Sequence, residues 1–481
     1  MKFSTVLKAA ALASAASATV DLSTVTARNF TSIQPTIEEI EAAASNATTL
    51  QWTSDVEGAF FKRFFVIWLE NTDYDKAFDE EDFQWIAEQG ITLTNYWAVT
   101  HPSEPNYMAS VGGDYFALDD DRFIALPENI STIVDLLEEK GISWAEYQEH
   151  LPYTGFQGFN YSNQETFAND YVRKHNPLVL YDSVSNNDTR LSLIKNYTVF
   201  EQELADNVLP QYAIFTPNMT NDGHDTTTKF VANYAKSFLE PLLSNENFTK
   251  DTLILLTFDE NDSYSVKNNV LSILLGGVIP EELKGTFDNT FYDHYSQLSS
   301  LEANFDLHHL GRGDVDANIF QLVANATGIE NKDVDTEFKV NNETYIGYLN
   351  DINIEIPAPN VTATNRNGKA ILPAISSVWA EEYSAQVSES YFTATTTTVS
   401  GDITNAVTLT TAGISKPASV AASGSASGSA KASGSVSGSA KASASGSASA
   451  SASSSSSKAG AVALGVSIPM VLTFLANVFL L

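Results

Sequence analysis

Glu70 and Asn71 directly follow the apolar run 64–69, and Asp259 and Glu260 close a second apolar run, 251–258. Between them in the chain, Ser103 sits in Thr100-His101-Pro102-Ser103-Glu104-Pro105-Asn106-Tyr107. Carboxylate and amide oxygens suit a hard divalent cation, and a hydroxyl bonded to such a cation gives up its proton more easily. Metal-assisted hydrolysis of a phosphoester is the chemistry that this combination fits.

Pro102 and Pro105 stiffen the backbone around the Ser103 hydroxyl. A helix starting near Met108 would turn backbone N–H groups toward a phosphoryl group. Asn106 can donate its amide to a phosphoryl oxygen. A third segment, 217–225, follows the run ending at Phe215 and holds His224 between Asp222 and Asp225, with Gly223 permitting a sharp turn. Flanking carboxylates favour the imidazolium form. That form can neutralise phosphate or protonate a leaving alkoxide, and a neutral ring can bind a metal. His294, in Tyr292-Asp293-His294-Tyr295-Ser296, offers the same options. His308 and His309 lie in the helix-like stretch 303–311 and read as structural.

These residues must be positioned by a sheet, because ligands in open α/β folds bind beyond the carboxyl ends of strands. Across residues 53–374, short β-rich runs alternate with amphipathic stretches, the pattern of a mostly parallel sheet flanked by helices. The expected strands are 64–69, 91–98, 142–147, 212–215, 253–258 and 271–275. The expected helices are 132–140, 228–243 and 296–305. Residues 375–457 change character to a Thr-rich and then a Ser/Gly/Ala-rich tract, in which 422–431 recurs almost unchanged as 432–441. Such sequence cannot bury enough surface to order itself and reads as a disordered stalk.

The chain ends carry addresses. Residues 1–18 combine Lys2 and Lys8, an apolar middle and Ala16-Ser17-Ala18, which reads as a secretory signal. In 458–481 no charge follows Lys458, and small residues precede the apolar tail, matching a glycosylphosphatidylinositol attachment signal. A tail-anchored helix is the alternative, but it would carry cations on its far side. Sequons at Asn29, Asn46, Asn129, Asn160, Asn187, Asn196, Asn247, Asn325, Asn342 and Asn360 point to N-glycans, and the stalk to O-glycans. Two further sequons, at Asn218 and Asn261, fall inside the proposed site and are expected to be unoccupied. The chain has no cysteine, which excludes thiol chemistry and cysteine metal sites. A net charge of −33 argues against nucleic-acid binding. It also repels anionic substrates at neutral pH, a repulsion that relaxes at about pH 4 to 5 as carboxylates protonate.

Taken in order, Glu70-Asn71, residues 101–107, Tyr147-Gln148-Glu149, residues 216–225, residues 259–262 and His294-Tyr295-Ser296 resemble the phosphoesterase family of bacterial phospholipases C and fungal and bacterial acid phosphatases. The chain looks most like the fungal secreted acid phosphatases, and the resemblance covers about residues 64–320. It implies an alkaline-phosphatase-like α/β/α sandwich. Ser103 would be nucleophile and metal ligand, with Glu70, Asn71, Asp259 and Glu260 as the other ligands. Asn106, His224 and His294 would act around the phosphate, and His101, Glu149, Asp222 and Asp225 would line the substrate pocket. Ser103-Glu104-Pro105-Asn106 also looks like the hydroxyl-x-Pro-Asn nucleophile motif of nucleotide pyrophosphatases. Two-zinc members of the wider superfamily carry Asp-His where this chain has Asp259-Glu260, which favours a harder ion or a single metal and leaves its identity open. Phospholipase members often have Asn-Arg-Ser-Phe-Asp where Asn71-Thr72-Asp73-Tyr74-Asp75 keeps only part of the pattern.

The expectation is a secreted, glycosylated, lipid-anchored acid phosphatase that hydrolyses phosphomonoesters at the cell surface through a phosphoserine. One alternative is a phospholipase C or phosphodiesterase on the same fold, with Tyr153, Phe156 and Phe159 lining a pocket for the second ester group. The other is a cell-wall mannoprotein with a dead site.

Overall fold

The computed structural model describes residues 34–388. Its central sheet has eight strands: β1 Arg63–Leu69, β2 Ile91–Leu93, β3 Trp144–Gln148, β4 Ile194–Asn196, β5 Tyr212–Thr216, β6 Thr252–Phe258, β7 Ser272–Leu275 and β8 Thr286–Asp288. Their order across the sheet is β8-β2-β7-β6-β1-β5-β3-β4. β1 pairs parallel with β5 on one side and β6 on the other, so three carboxyl ends sit side by side. Within this sheet only β7 runs against its neighbours. The β6–β7 connection contains no crossover helix, and without one the strand returns antiparallel.

β1 and β6 read as continuous apolar runs because both faces of the sheet are covered. Successive side chains of β1 still alternate. Phe64 packs on Phe61 and Phe320, and Trp68 on Tyr107. Phe65 points to the opposite layer, against Phe215 and Phe248. The helices that bear on the site are α1 Ser103–Gly112, α2 Ile133–Lys140, α3 Tyr197–Ala205, α4 Thr228–Leu243, α5 Tyr295–Phe305 and α6 Pro373–Ser388. α3 and α4 cover the Phe65 face through Phe200 and Phe238, which both meet Phe215. α1 covers the Trp68 face through Tyr107, and His294, at the start of α5, meets Trp68 on the same side. The fold is thus an α/β/α sandwich on a mostly parallel sheet, as expected.

Several boundaries differ from expectation for local reasons. The 91–98 segment breaks into β2 and a short strand, Tyr96–Trp97, which pairs with Tyr292–Asp293 in a separate ladder. At the break, Thr94 and Asn95 bond to Asp288 and Asn289. α1 begins at Ser103 rather than near Met108. Pro102 is its cap and Pro105 lies in its first turn, where backbone N–H groups have no helical partner to lose. α5 ends at Phe305, with Asp306 left-handed at φ 55°, so 307–311 is not helical. His309 is buried against the Ala363 carbonyl and His308 bonds the Ala370 carbonyl, both in structural roles.

The ordered fold also runs past the expected boundary at 374. α6 buries Ile375 and Trp379, and the Trp379 indole donates to the Asn129 carbonyl at 2.9 Å. Apolar residues continue through this helix before the Thr/Ser/Gly/Ala composition takes over. The expected signal at 1–18, the stalk beyond 388 and the tail at 458–481 lie outside the described residues. Among the described residues no helix is long and apolar enough to cross a membrane.

Candidate active site

The carboxyl ends of β1 and β6 deliver their acidic residues to one point, and the first turn of α1 brings Ser103 to it. Ser103 Oγ donates to Glu70 Oε2 at 3.1 Å and lies 3.3 Å from Glu260 Oε1. Asn71 N donates to Asp259 Oδ1 at 3.3 Å. The second oxygen of Glu70 accepts from Tyr107 OH at 2.5 Å. Glu70, Ser103, Asp259 and Glu260 are all buried.

The Asn71 carboxamide points at the same place, with one terminal atom 3.2 Å from Glu70 Oε2 and 3.3 Å from Glu260 Oε1. Turned so that nitrogen occupies that position, it makes two hydrogen bonds to the carboxylates. Turned so that oxygen does, it joins Ser103, Glu70 and Glu260 in a set of oxygens about 3 Å apart. Oxygens bound at about 2.1 Å to a six-coordinate ion have that edge length. Asp259 Oδ2 is buried with no hydrogen-bond partner, a further free lone pair at the site. This hard-oxygen set fits a divalent cation.

Electrostatics point the same way. Burial, reinforced by the Asp259 and Asp222 carboxylates, holds Glu70 well above its ordinary value. Burial and Asp259 do the same to Glu260, and burial lifts Asp259 to about 7. Carboxylates gathered in this way keep protons unless a cation offsets their mutual repulsion.

The opposite wall comes from a 3₁₀ turn, Arg173–His175, and from the loop after β5. Lys174 Nζ bonds Asp121 Oδ2 at 3.0 Å and stands 3.3 Å from His224 Nε2. Burial alone would lower Lys174, but the Glu70 and Asp121 carboxylates outweigh it and push it up to about 12. An ammonium has no lone pair to offer, so His224 Nε2 accepts and its ring proton lies on Nδ1, donated to Asp225 at 3.0 Å. The imidazolium expected from the flanking aspartates would have to donate from Nε2, and the Lys174 ammonium faces that nitrogen instead of an acceptor. His175 stacks on Tyr107, with Nε2 3.2 Å from Glu70 Oε1 and Nδ1 3.4 Å from Asp222 Oδ2. Burial, aided by Lys174 and His224, holds it well below its ordinary value, hence neutral. Glu70, His175 and His224 each place one ligand atom within 4.8 Å of the others and could also hold a cation. Lys174 already occupies the His224 lone pair, which makes the oxygen set the better one.

Of the remaining expected residues, His101 is brought to the site. Its Nδ1 bonds Glu260 Oε2, its Nε2 is buried without a partner, and burial lowers it to about 4. Asp222 is also at the site, accepting from His224 N at 2.8 Å. Asp225 is 43 % exposed and acts on the His224 ring only.

Three residues do not reach the phosphate position. Asn106 is consumed by its own loop, donating to the Thr100 and Pro102 carbonyls at 2.8 and 3.0 Å and accepting from Val99 N and Thr100 N. His294 has both ring nitrogens engaged, donating to the Asp259 carbonyl at 2.6 Å and accepting from Tyr96 OH at 3.2 Å, so it braces Asp259 from behind. Glu149 accepts from Asn218 N, Asn221 Nδ2 and Tyr234 OH and fastens the loop carrying His224. Of the aromatics proposed for a diester pocket, Phe156 is fully buried against Tyr153 and Tyr171 and belongs to the interior, while Tyr153 and Phe159 are half-buried, Phe159 packing on Phe123. The Asn218 and Asn261 amides are buried and hydrogen-bonded, leaving a glycan no room.

Sequence reasoning missed Lys174, His175, Tyr107 and Asp121. The available signal was Arg173-Lys174-His175, a basic triplet in a chain of net charge −33. No periodic run precedes it in the way that β1 and β6 precede their ligands.

A hydroxyl among buried carboxylates at the carboxyl edge of a mostly parallel sheet, faced by a half-buried lysine, defines a hydrolase class that handles anionic esters. The sequence profile of the Phosphoesterase family matches residues 76–308. A probable acid phosphatase of Kluyveromyces lactis is 68 % identical over 381 residues, covering 79 % of this chain and 90 % of that protein. An acid phosphatase of Aspergillus fumigatus is 58 % identical over 330 residues, covering 69 % of this chain and 73 % of that protein. The chain belongs to the phosphoesterase family. Among solved structures, an alkaline-phosphatase-superfamily protein from Vibrio parahaemolyticus overlaps at a TM-score of 0.33 and 9 % identity, covering 56 % of this chain and 75 % of that one, too little to carry geometry across.

Proposed function

We propose that the protein is a secreted, lipid-anchored acid phosphatase that hydrolyses phosphomonoesters at the cell surface through a phosphoserine on Ser103. The observation that carries the reading is the Ser103 hydroxyl, held 3.1 and 3.3 Å from two buried carboxylates at the sheet edge. The acid phosphatases among its relatives support the substrate class. The N-terminal signal, sequons and apolar tail of the sequence support the location.

A divalent cation held by Glu70, Asn71, Ser103, Asp259 and Glu260 would supply the charge that eases Ser103 deprotonation and offsets the phosphoryl oxygens. Lys174 adds fixed positive charge from the other wall. Ser103 Oγ forms a bond to phosphorus as its proton passes to a neighbouring carboxylate, and the ester P–O bond breaks. The departing oxygen takes a proton from the acidic solvent. Water then attacks the phosphoserine, releasing inorganic phosphate and restoring the hydroxyl. His175 and the His224–Asp225 pair hold the pocket's neutral hydrogen-bonding wall.

Acid quenching during turnover of an aryl phosphate, followed by peptide mapping, tests this reading. Phosphate on Ser103 is the expected result. A protein that turns over without phosphate ever appearing on Ser103 would exclude the covalent route.

A further inference from the structure

One aromatic ring stands half-exposed at the mouth of the site. Tyr264 stacks on His101 with ring centroids 3.9 Å apart and planes 26° from parallel, while the residue is 54 % exposed. His101 backs one face of the ring, and among the described residues no other ring packs on it. Burial, with Glu260, Asp121 and Asp259 in electrostatic range, pushes the Tyr264 hydroxyl up to about 12, against the pull of Lys174. His101, on which the ring lies, is itself bonded to Glu260, so the ring stands one side chain away from the carboxylates around Ser103.

The loop that carries the ring is fastened at several points. Ser263 donates through N and Oγ to the two oxygens of Asp73, at 2.8 Å each. The Asn342 amide donates to the Tyr264 carbonyl, and Asn261 N donates to Asn268 Oδ1 at 2.9 Å across the base of the loop. A ring fixed in this way loses little freedom when a ligand settles on it. An aromatic with one face backed and the other open to solvent suits offset stacking with a second planar ring.

We propose that Tyr264 is the leaving-group platform, so that phosphomonoesters of planar aromatic alcohols lay their ring on its open face while the phosphoryl group meets Ser103. The proposal deepens, and rests on, the Ser103-centred reading. Alkyl esters would gain nothing from this surface beyond ordinary contact.

Phosphonates test it without the confounding effect of leaving-group reactivity. Inhibition constants of phenylphosphonate, methylphosphonate and inorganic phosphate would be measured on the full-length protein, with glycerol phosphate as substrate, for the wild type, Tyr264→Phe and Tyr264→Ala. Tyr264→Ala is expected to weaken phenylphosphonate roughly three- to tenfold relative to methylphosphonate, with Tyr264→Phe retaining the wild-type ratio. Equal weakening of both phosphonates would overturn the proposal, as would a loss in Tyr264→Phe as large as in Tyr264→Ala. Should Tyr264→Ala fail to fold, Tyr264→Leu keeps apolar bulk without a π-face, and an unchanged ratio in that variant also overturns it. Failure of the Ser103 reading would instead show as wild-type turnover with no phosphate trapped on Ser103, a result independent of the phosphonate ratio.

Discussion

The two walls of the pocket differ in how they are held. Glu70, Asn71, Asp259 and Glu260 extend from the two central strands, whose side chains are almost wholly buried and which pair over their full length. Lys174, His175 and His224 stand on a three-residue 3₁₀ turn and a loop, kept in place by side-chain bonds to Asp121, Asp225 and Glu149. The strand-borne wall is acidic and rigid, which suits ligands that must keep a fixed geometry. The loop-borne wall supplies the positive and neutral partners, and its placement depends on a few polar contacts. On the function proposed above, cation binding and anion binding fall on different types of support.

The sharpest way to break that division is at the residue both functions share. Ser103→Ala should lower kcat for an aryl phosphate by at least roughly 1,000-fold while leaving the melting temperature nearly unchanged. Glu260→Gln perturbs the strand-borne wall alone. It should lose bound metal, read by elemental analysis, and lower kcat/KM by about 100-fold, as should chelation of the wild type with recovery on re-addition of a divalent cation. Lys174→Ala perturbs the loop-borne wall. It should weaken inhibition by inorganic phosphate roughly 10- to 100-fold while metal content holds. Metal loss in Lys174→Ala equal to that in Glu260→Gln would dissolve the distinction between the walls.

A smaller effect concerns stability rather than catalysis. Burial pushes Glu146, at the centre of β3, from 4.5 up to about 8. A carboxyl raised in the folded state binds its proton more tightly there than in the unfolded chain, so its contribution is complete below pH 4.5 and is lost as pH rises toward 8. Glu146→Gln should remove a slope of about 1 kcal/mol per pH unit from urea-unfolding free energies across that interval. A slope identical to wild type would mean that Glu146 does not carry it.

How much of this was legible in the sequence follows the same division. The runs 64–69 and 253–258 announced both strands, and with them the places of Glu70, Asn71, Asp259 and Glu260, because burial on two faces leaves an uninterrupted apolar signature. Helix 228–243 was legible to the residue, with Thr227 accepting from Phe230 N at its start. Asn106 and His294 were read as acting around the phosphate, because sequence cannot tell a residue facing the substrate from one bonded to the backbone behind it. Lys174 and His175 were invisible because a 3₁₀ turn has no periodicity and its neighbours come from distant loops. The position of α1 was misjudged because prolines read as breakers until their place in a first turn is known.

Gly223 joins the two walls at one stitch. Its φ is 110°, and a Cβ there would lie 3.1 Å from the Glu70 carbonyl oxygen and 3.2 Å from Val231. Beside it, Glu70 N donates to the Asp222 carbonyl at 2.9 Å. The loop bearing His224 is therefore laid directly on the backbone of Glu70 at the strand end, with no side chain as a cushion. Any bulk added at that point would wedge apart both halves of the pocket at once, so variation that tunes one wall is confined to positions farther from this seam.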